Sequence, residues 1–77
     1  MNSQLSRAAR ALLKWSQREL ADTSGVALST VADFENDKRE PWGDNLAAIR
    51  RALEDAGVEF IQAKKGGKGV GVRLRDA

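Results

Sequence analysis

The 77-residue sequence predicts a mainly α-helical fold of four helices followed by a C-terminal β-hairpin. Before residue 57, apolar residues recur at helical spacing and alternate with signals that start and stop helices. The last twenty residues change to a glycine-rich pattern in which apolar and polar residues alternate, as they do in strands. We therefore divide the chain into a helical domain over residues 1–57 and a hairpin over residues 58–77.

The first two helices are predicted from an apolar face and a capping signal. The first helix is expected over about residues 3–14, and Ser16 then offers an N-cap with Glu19 three residues later. This spacing is typical of a capping box, in which the hydroxyl and the carboxylate each accept a backbone N–H. The predicted buried face of the first helix consists of Leu5, Ala8, Ala9 and Leu12.

A tight turn is predicted between the second and third helices. Gly25 can adopt the left-handed conformation that such a turn needs, and Val26 is expected to enter the core. The third helix is expected over residues 28–36, with Val31 and Phe34 turned inward.

The remaining elements follow a polar loop that ends at Pro41, the only proline. A fourth helix is predicted over about residues 43–56, with Gly57 as its stop, and extended segments over 58–62 and 70–75 form the hairpin. The apolar positions of the fourth helix are Leu46, Ile49 and Leu53.

The composition makes enzymatic function unexpected. The chain contains no Cys, His or Tyr, so it offers no disulfide, no thiolate or imidazole metal ligand and no histidine base. We therefore predict no catalytic residue, no metal and no cofactor. Because no ligand-binding domain fits in the length that remains outside the helices and the hairpin, we also predict no small-molecule ligand. No signal peptide and no apolar run long enough for a membrane span is visible, so we expect a cytoplasmic protein that does not contact membranes.

The charges are unevenly distributed along a chain whose net charge is +2. Residues 1–18 carry four basic residues and no acid, and residues 60–77 carry five basic residues and one acid. Basic ends around an acidic centre suit contact with phosphates, although a charged surface can also serve solubility alone.

Several segments together resemble one known family. Residues 16–21 (SQRELA), 24–26 (SGV), 29–31 (STV) and 34–36 (FEN) are similar to the Cro/C1-type (XRE) helix-turn-helix family of bacterial and phage repressors. The resemblance covers roughly residues 5–57 and implies a lambda-repressor-like bundle that binds double-stranded DNA, usually as a dimer. In that family, the second helix of the motif enters the major groove.

The resemblance also implies a set of site residues. Gln17 occupies a position that often contacts a phosphate, and Arg10 and Glu35 occupy positions that form a structural ion pair in related repressors. Position 27 is Ala where many relatives have a Ser or Thr cap, so the recognition helix is expected to start at residue 28 or 29. The DNA-binding residues implied for the recognition helix and its following loop are Leu28, Ser29, Thr30, Ala32, Asp33, Asn36, Lys38 and Arg39.

Each of these residues also has a purely structural interpretation. Gln17 could cap a helix or face solvent, Leu28 could pack rather than contact a thymine methyl group, and the hydroxyls could be ordinary helix-start residues. The loop cations could belong to an ordinary solvated surface. Asp33 leaves three alternatives: it reads a cytosine, it discriminates against other bases, or it weakens DNA binding.

Other segments favour structural roles. Trp15 and Trp42 are predicted to pack in or around the core rather than to stack on bases. The glycine-lysine turn over residues 66–69 lacks the spacing of a phosphate-binding P-loop, and no helix follows it.

The predicted function is sequence-specific DNA binding by a small transcriptional regulator, most simply a repressor. We expect a homodimer in which the hairpin, through Val70, Val72 and Leu74, pairs with a second chain; the alternative is that it folds back on its own bundle. The alternative function is a protein-interaction module, such as the antitoxin of a toxin–antitoxin pair with the toxin as its partner.

Overall fold

A computed structural model of the chain describes residues 1–41, 43–62 and 69–75. It contains four helices and a two-stranded antiparallel sheet, which confirms the predicted mainly α fold with a C-terminal hairpin. The elements are α1 (Ser3–Leu13), α2 (Gln17–Ser24), α3 (Leu28–Glu35), α4 (Gly43–Asp55), β1 (Val58–Gln62) and β2 (Gly69–Leu74).

The first three helices begin in different ways. The side chain of Asn2 accepts the amide of Leu5 at 2.8 Å and caps α1. The predicted capping box of α2 is confirmed, because Ser16 and Glu19 accept each other's amides at 3.0 Å. Helix α3 follows Ala27, which makes no capping hydrogen bond, so this helix starts at Leu28 without a side-chain cap.

A single apolar core joins the helices to the hairpin. The predicted inward positions of α3 and two of the three in α4, Ile49 and Leu53, are buried, as is Val26 after the turn, whereas Leu46 is only partly buried. Strand β1 contributes Val58 and Phe60 to the same core, so the hairpin packs on its own bundle, mainly against α1 and α4. The buried apolar residues are Leu5, Ala9, Leu20, Ala21, Val26, Val31, Phe34, Ile49, Ala52, Leu53, Val58 and Phe60.

The predicted buried face of α1 is wrong in part. Leu5 and Ala9 are buried, but Ala8 is exposed and Leu12 is 39% exposed. The helix instead buries two serines, Ser3 and Ser6. Both hydroxyls donate hydrogen bonds to acidic side chains near the end of α3, and these bonds remove the cost of burying them.

Charged side chains join the two strands of the hairpin and also connect the hairpin to α4. Arg73 and Glu59 form an ion pair across the strands at 2.8 Å. The guanidinium of Arg75 donates to the backbone carbonyl of Glu54 at 2.8 Å, and that of Arg50 lies 5.2 Å from the centre of the Phe60 ring. Val58 pairs with Leu74 and Phe60 with Val72 in the register of the sheet.

The predictions for the two tryptophans and for the hairpin turn can be compared with the structure only in part. Trp15 is partly buried against the core, as predicted, whereas Trp42 lies outside the described residues. Residues 66–68 of the glycine-lysine turn also lie outside them, as does the side chain of Val70, whereas Gly69 is the first residue of β2. In the described parts of the chain, every helix is too short or too polar to cross a membrane.

Candidate nucleic-acid interface

Helices α2 and α3 form a unit joined by a tight turn. Helix α2 ends at Gly25, whose φ of 74° is left-handed and whose amide donates to the carbonyl of Ala21 at 2.9 Å. The amide of Val26 then donates to the hydroxyl of Ser24 at 3.3 Å. With Val26 buried directly after the turn, the chain enters α3 from a fixed point on the core.

The two sides of α3 differ sharply in chemistry. Val31, Phe34 and Glu35 are buried and define the inner side. Since each helical residue turns the chain by about 100°, Ser29 and Asp33 point away from that side. Leu28 and Ser29 are exposed, and Thr30, Ala32 and Asp33 are partly exposed.

Within residues 1–41, 43–62 and 69–75, the outer side of α3 is open to an approaching molecule. The helix packs mainly against α1 and α2, whereas the hairpin packs mainly against α1 and α4. Leu28 retains 39% exposure, and Ser29 near the start of α3 and Asn36 just beyond its end are both exposed. An α-helix with a free outer side is the element that enters a DNA major groove.

The buried carboxylate of Glu35, the last residue of α3, connects this helix to α1 and α2. Glu35 has no exposed surface and lies 2.7 Å from the guanidinium of Arg10. Its carboxylate also accepts the hydroxyl of Ser6 at 2.5 Å and the amide nitrogen of Gln17 at 3.1 Å. Burial by itself would raise the pKa of Glu35, but these three hydrogen bonds and the charge of Arg10 together lower it. The carboxylate therefore stays ionised and ties α3 to α1 and α2.

Gln17 is oriented inward by this cluster. Its side chain is partly buried and donates to Glu35. The side chain is thus engaged within the protein, whereas the backbone N–H of Gln17 lies at the start of α2, and helix N-termini attract anions.

The loop after α3 carries two cations close to the last turn of the helix. The amides of Lys38 and Arg39 donate to the carbonyl of Asp33 at 2.8 and 3.3 Å. Between them and the helix, Asp37 has a φ of 61° and accepts the hydroxyl of Ser3 at 2.5 Å. Both cationic side chains are exposed, and no ion pair within the described residues includes them.

Further cations lie next to the start of α2. Lys14 is exposed and ends α1 in the left-handed conformation, and Arg18 is exposed on the first turn of α2. Arg18 approaches Asp22 only at 3.8 Å, with both side chains more than 70% exposed, so its charge remains available to solvent. Positive side chains thus occur on two segments connected to α3.

Sequence reasoning missed the serines and Arg7 in this arrangement. The hydroxyls of Ser3 and Ser6 donate to the carboxylates of Asp37 and Glu35, respectively. Arg7 donates to the backbone carbonyl of Glu35. Together with Arg10, they recur at steps of three and four residues, which is the helical period. That period predicts that they share one side of α1, but it does not identify their partners at the end of α3.

Comparison with known proteins agrees with this geometry. A helix-turn-helix family model matches residues 7–54, more than half of the chain, while a search of curated proteins found no match. The matched segment contains the capping box, the turn at Gly25 and all of α3. The chain therefore belongs to the Cro/C1-type (XRE) helix-turn-helix family of DNA-binding transcriptional regulators.

Proposed function

We propose that this protein represses transcription by binding specific double-stranded DNA sequences, with α3 in the major groove. The observation that carries the proposal is the open outer side of α3, a helix held from behind by the Arg10–Glu35 pair. A rigidly held helix keeps its outer side chains in one orientation, which is what reading a base sequence requires.

The proposed contacts divide into two classes. Phosphates would be bound by the amide of Gln17 and by the exposed loop residues Asn36, Lys38 and Arg39. These contacts set the register of the protein on the duplex and supply most of the affinity. Base edges would be read from α3 by Leu28, Ser29, Thr30, Ala32 and Asp33.

Repression, rather than activation, is the simplest regulatory effect for such a domain. A protein that occupies a promoter competes with the polymerase for the same DNA and needs no additional contact surface to do so. The exposed cations Lys38 and Arg39 after α3, together with Lys14 and Arg18 around the start of α2, support tight occupancy of the duplex.

We further propose that the protein binds as a homodimer. The described sheet has two strands, so each strand has an outer edge without a strand partner. Leu74 on β2 is 44% exposed and Leu12 on α1 is 39% exposed, and α1 and β2 are in contact. A symmetric dimer would present two α3 helices about 34 Å apart to successive major grooves.

The dimer is tested by light scattering on the full chain. Wild type should have twice the monomer mass, and Leu74→Lys should shift it towards the monomer. Leu28→Lys introduces the same charge at a leucine with similar exposure on α3 and should leave the mass unchanged. A monomer mass for the wild-type protein at every concentration, both with and without DNA, would contradict the proposed dimer.

The function is tested by selecting duplexes from a random pool at low salt. We expect the wild-type protein to enrich one palindromic motif, and its affinity for that motif to fall steeply as salt increases. A pool without any enriched motif would contradict the proposal. Copurification of a stoichiometric protein partner would then favour the antitoxin alternative.

A further inference from the structure

Asp33 is an acidic residue on the side of α3 that points away from the core. It is separated from Ser29 by one helical turn and is partly exposed. Within the described residues, no ion pair neutralises its carboxylate. An unpaired negative charge on a surface that approaches DNA is repelled by phosphates, so it must have a different partner in the complex or weaken binding.

The surroundings of Asp33 restrict where that partner can be. Its backbone carbonyl accepts the amides of Lys38 and Arg39, which brings the cationic loop against the last turn of α3. The loop cations suit the phosphates at the edge of the groove. Asp33 lies on the helix itself, one turn after Ser29 and on the side away from the buried residues. With α3 in the major groove as proposed, its side chain would face the base edges rather than the phosphates.

The chemistry of a carboxylate then selects one base. An ionised Asp only accepts hydrogen bonds. In the major groove, guanine presents two acceptors, thymine an acceptor and a methyl group, and adenine a donor beside an acceptor. Cytosine presents a donor, its exocyclic amine, and no acceptor of its own.

We infer that the Asp33 carboxylate accepts a hydrogen bond from a cytosine amine and so specifies a C·G pair at one position of each half-site. The inference rests on the proposed function, which it extends from DNA binding to the identity of one base. The same acid lowers the affinity for all other DNA, so it increases specificity at the cost of non-specific binding.

The test compares duplexes selected by wild type, Asp33→Ala, Asp33→Asn and Asp55→Asn. Wild type should enrich a cytosine that Asp33→Ala no longer requires, with a loss of about tenfold in preference at that position alone. Asp33→Asn should change the preferred base to adenine, since an amide offers both the donor and the acceptor that adenine complements. Asp55→Asn makes the same charge change on α4 and should keep the wild-type motif.

Affinity for a random duplex provides a second readout. Asp33→Ala and Asp33→Asn should bind it more tightly than Asp55→Asn does at low salt, because they remove a negative charge at the groove. A merely structural role for Asp33 predicts weaker binding to every duplex instead. Two results would overturn this inference alone. Either the wild-type motif contains no cytosine, or Asp33→Ala still requires every cytosine that wild type selects. A wild-type pool without a motif would overturn the proposed function, and this inference with it.

Discussion

The guanidinium of Arg10 on α1 lies 2.7 Å from the fully buried carboxylate of Glu35 at the end of α3. The same guanidinium donates to the backbone carbonyl of Trp15 at 3.0 Å, in the connection between α1 and α2. One side chain therefore fixes the entry to α2 and the end of α3. Since Gln17 and Ser6 bind the same carboxylate, the orientation of α3 depends on this pair.

We predict that Arg10→Met lowers the free energy of unfolding by about 3–5 kcal/mol, because it leaves the buried Glu35 without its cation. Urea denaturation of the full chain measures this loss.

A matched control is Arg51→Met on the surface of α4. Arg51 approaches Asp55 at 3.8 Å, and the two side chains are 84% and 74% exposed. Removing such a pair should change the free energy of unfolding by at most about 1 kcal/mol. Equal losses in the two variants would contradict the structural role of the Arg10–Glu35 pair.

The lowered pKa of Glu35 predicts a loss of stability in acid. Because the pKa is lower in the folded state than in the unfolded state, ionised Glu35 stabilises the fold above about pH 4.3, the ordinary value for Glu. This contribution disappears as the pH falls through the folded-state pKa. The free energy of unfolding, measured by urea denaturation between pH 7 and pH 3, should therefore decrease towards low pH.

The variant Glu35→Gln isolates this contribution. It should be less stable than wild type at pH 7 and show a shallower decrease with acid, since Gln does not titrate. Asp22→Asn removes an exposed carboxylate and should retain the wild-type steepness. If Glu35→Gln and wild type lost stability in parallel, the buried carboxylate would not be the titrating group.

The missing cap of α3 predicts a stabilising substitution. Ala27 occupies the N-cap position with a non-helical backbone (φ −57°, ψ 141°) and has no side-chain hydrogen bond to the helix. Ala27→Ser should add about 1 kcal/mol to the free energy of unfolding, seen as a melting temperature about 4–8 °C higher. Ser16→Ala removes the existing cap of α2 and should shift the melting temperature down by a similar amount. A melting temperature for Ala27→Ser at or below wild type would show that position 27 does not act as an N-cap.

The loop cations predict a change in salt dependence. Lys38→Ala and Arg39→Ala should each weaken binding to all duplexes to a similar extent and reduce the slope of log K against log salt by about one. Fluorescence anisotropy on one selected and one random duplex measures both quantities. Arg51→Ala, on α4, should leave the slope unchanged. A weakening confined to the selected duplex would assign these residues to base reading instead.

Local signals in the sequence predicted most of the fold. The capping box of Ser16 and Glu19, the left-handed turn at Gly25 and the inward positions Val31 and Phe34 all depend on neighbours within one or two turns. The geometry of these features depends on the local backbone, so it is the same whether or not the rest of the fold is known.

The polar side of the α1–α3 contact could not be predicted in the same way. Hydrophobic periodicity favoured Leu12 for the core, whereas Ser6 is buried because Glu35, 29 residues later, accepts its hydroxyl. The inward turn of Gln17 has the same cause. Such burial depends on partners that are remote in the chain, and a pattern of apolar residues contains no information about them.

The identity of the surface that meets DNA is tested most directly by mapping backbone amide chemical shifts on addition of a selected duplex. We expect the largest changes at Gln17, along the outer side of α3 and at Lys38 and Arg39, with α4 changing little. Changes concentrated on α4 and the hairpin, with α3 unaffected, would contradict the proposal that α3 enters the groove.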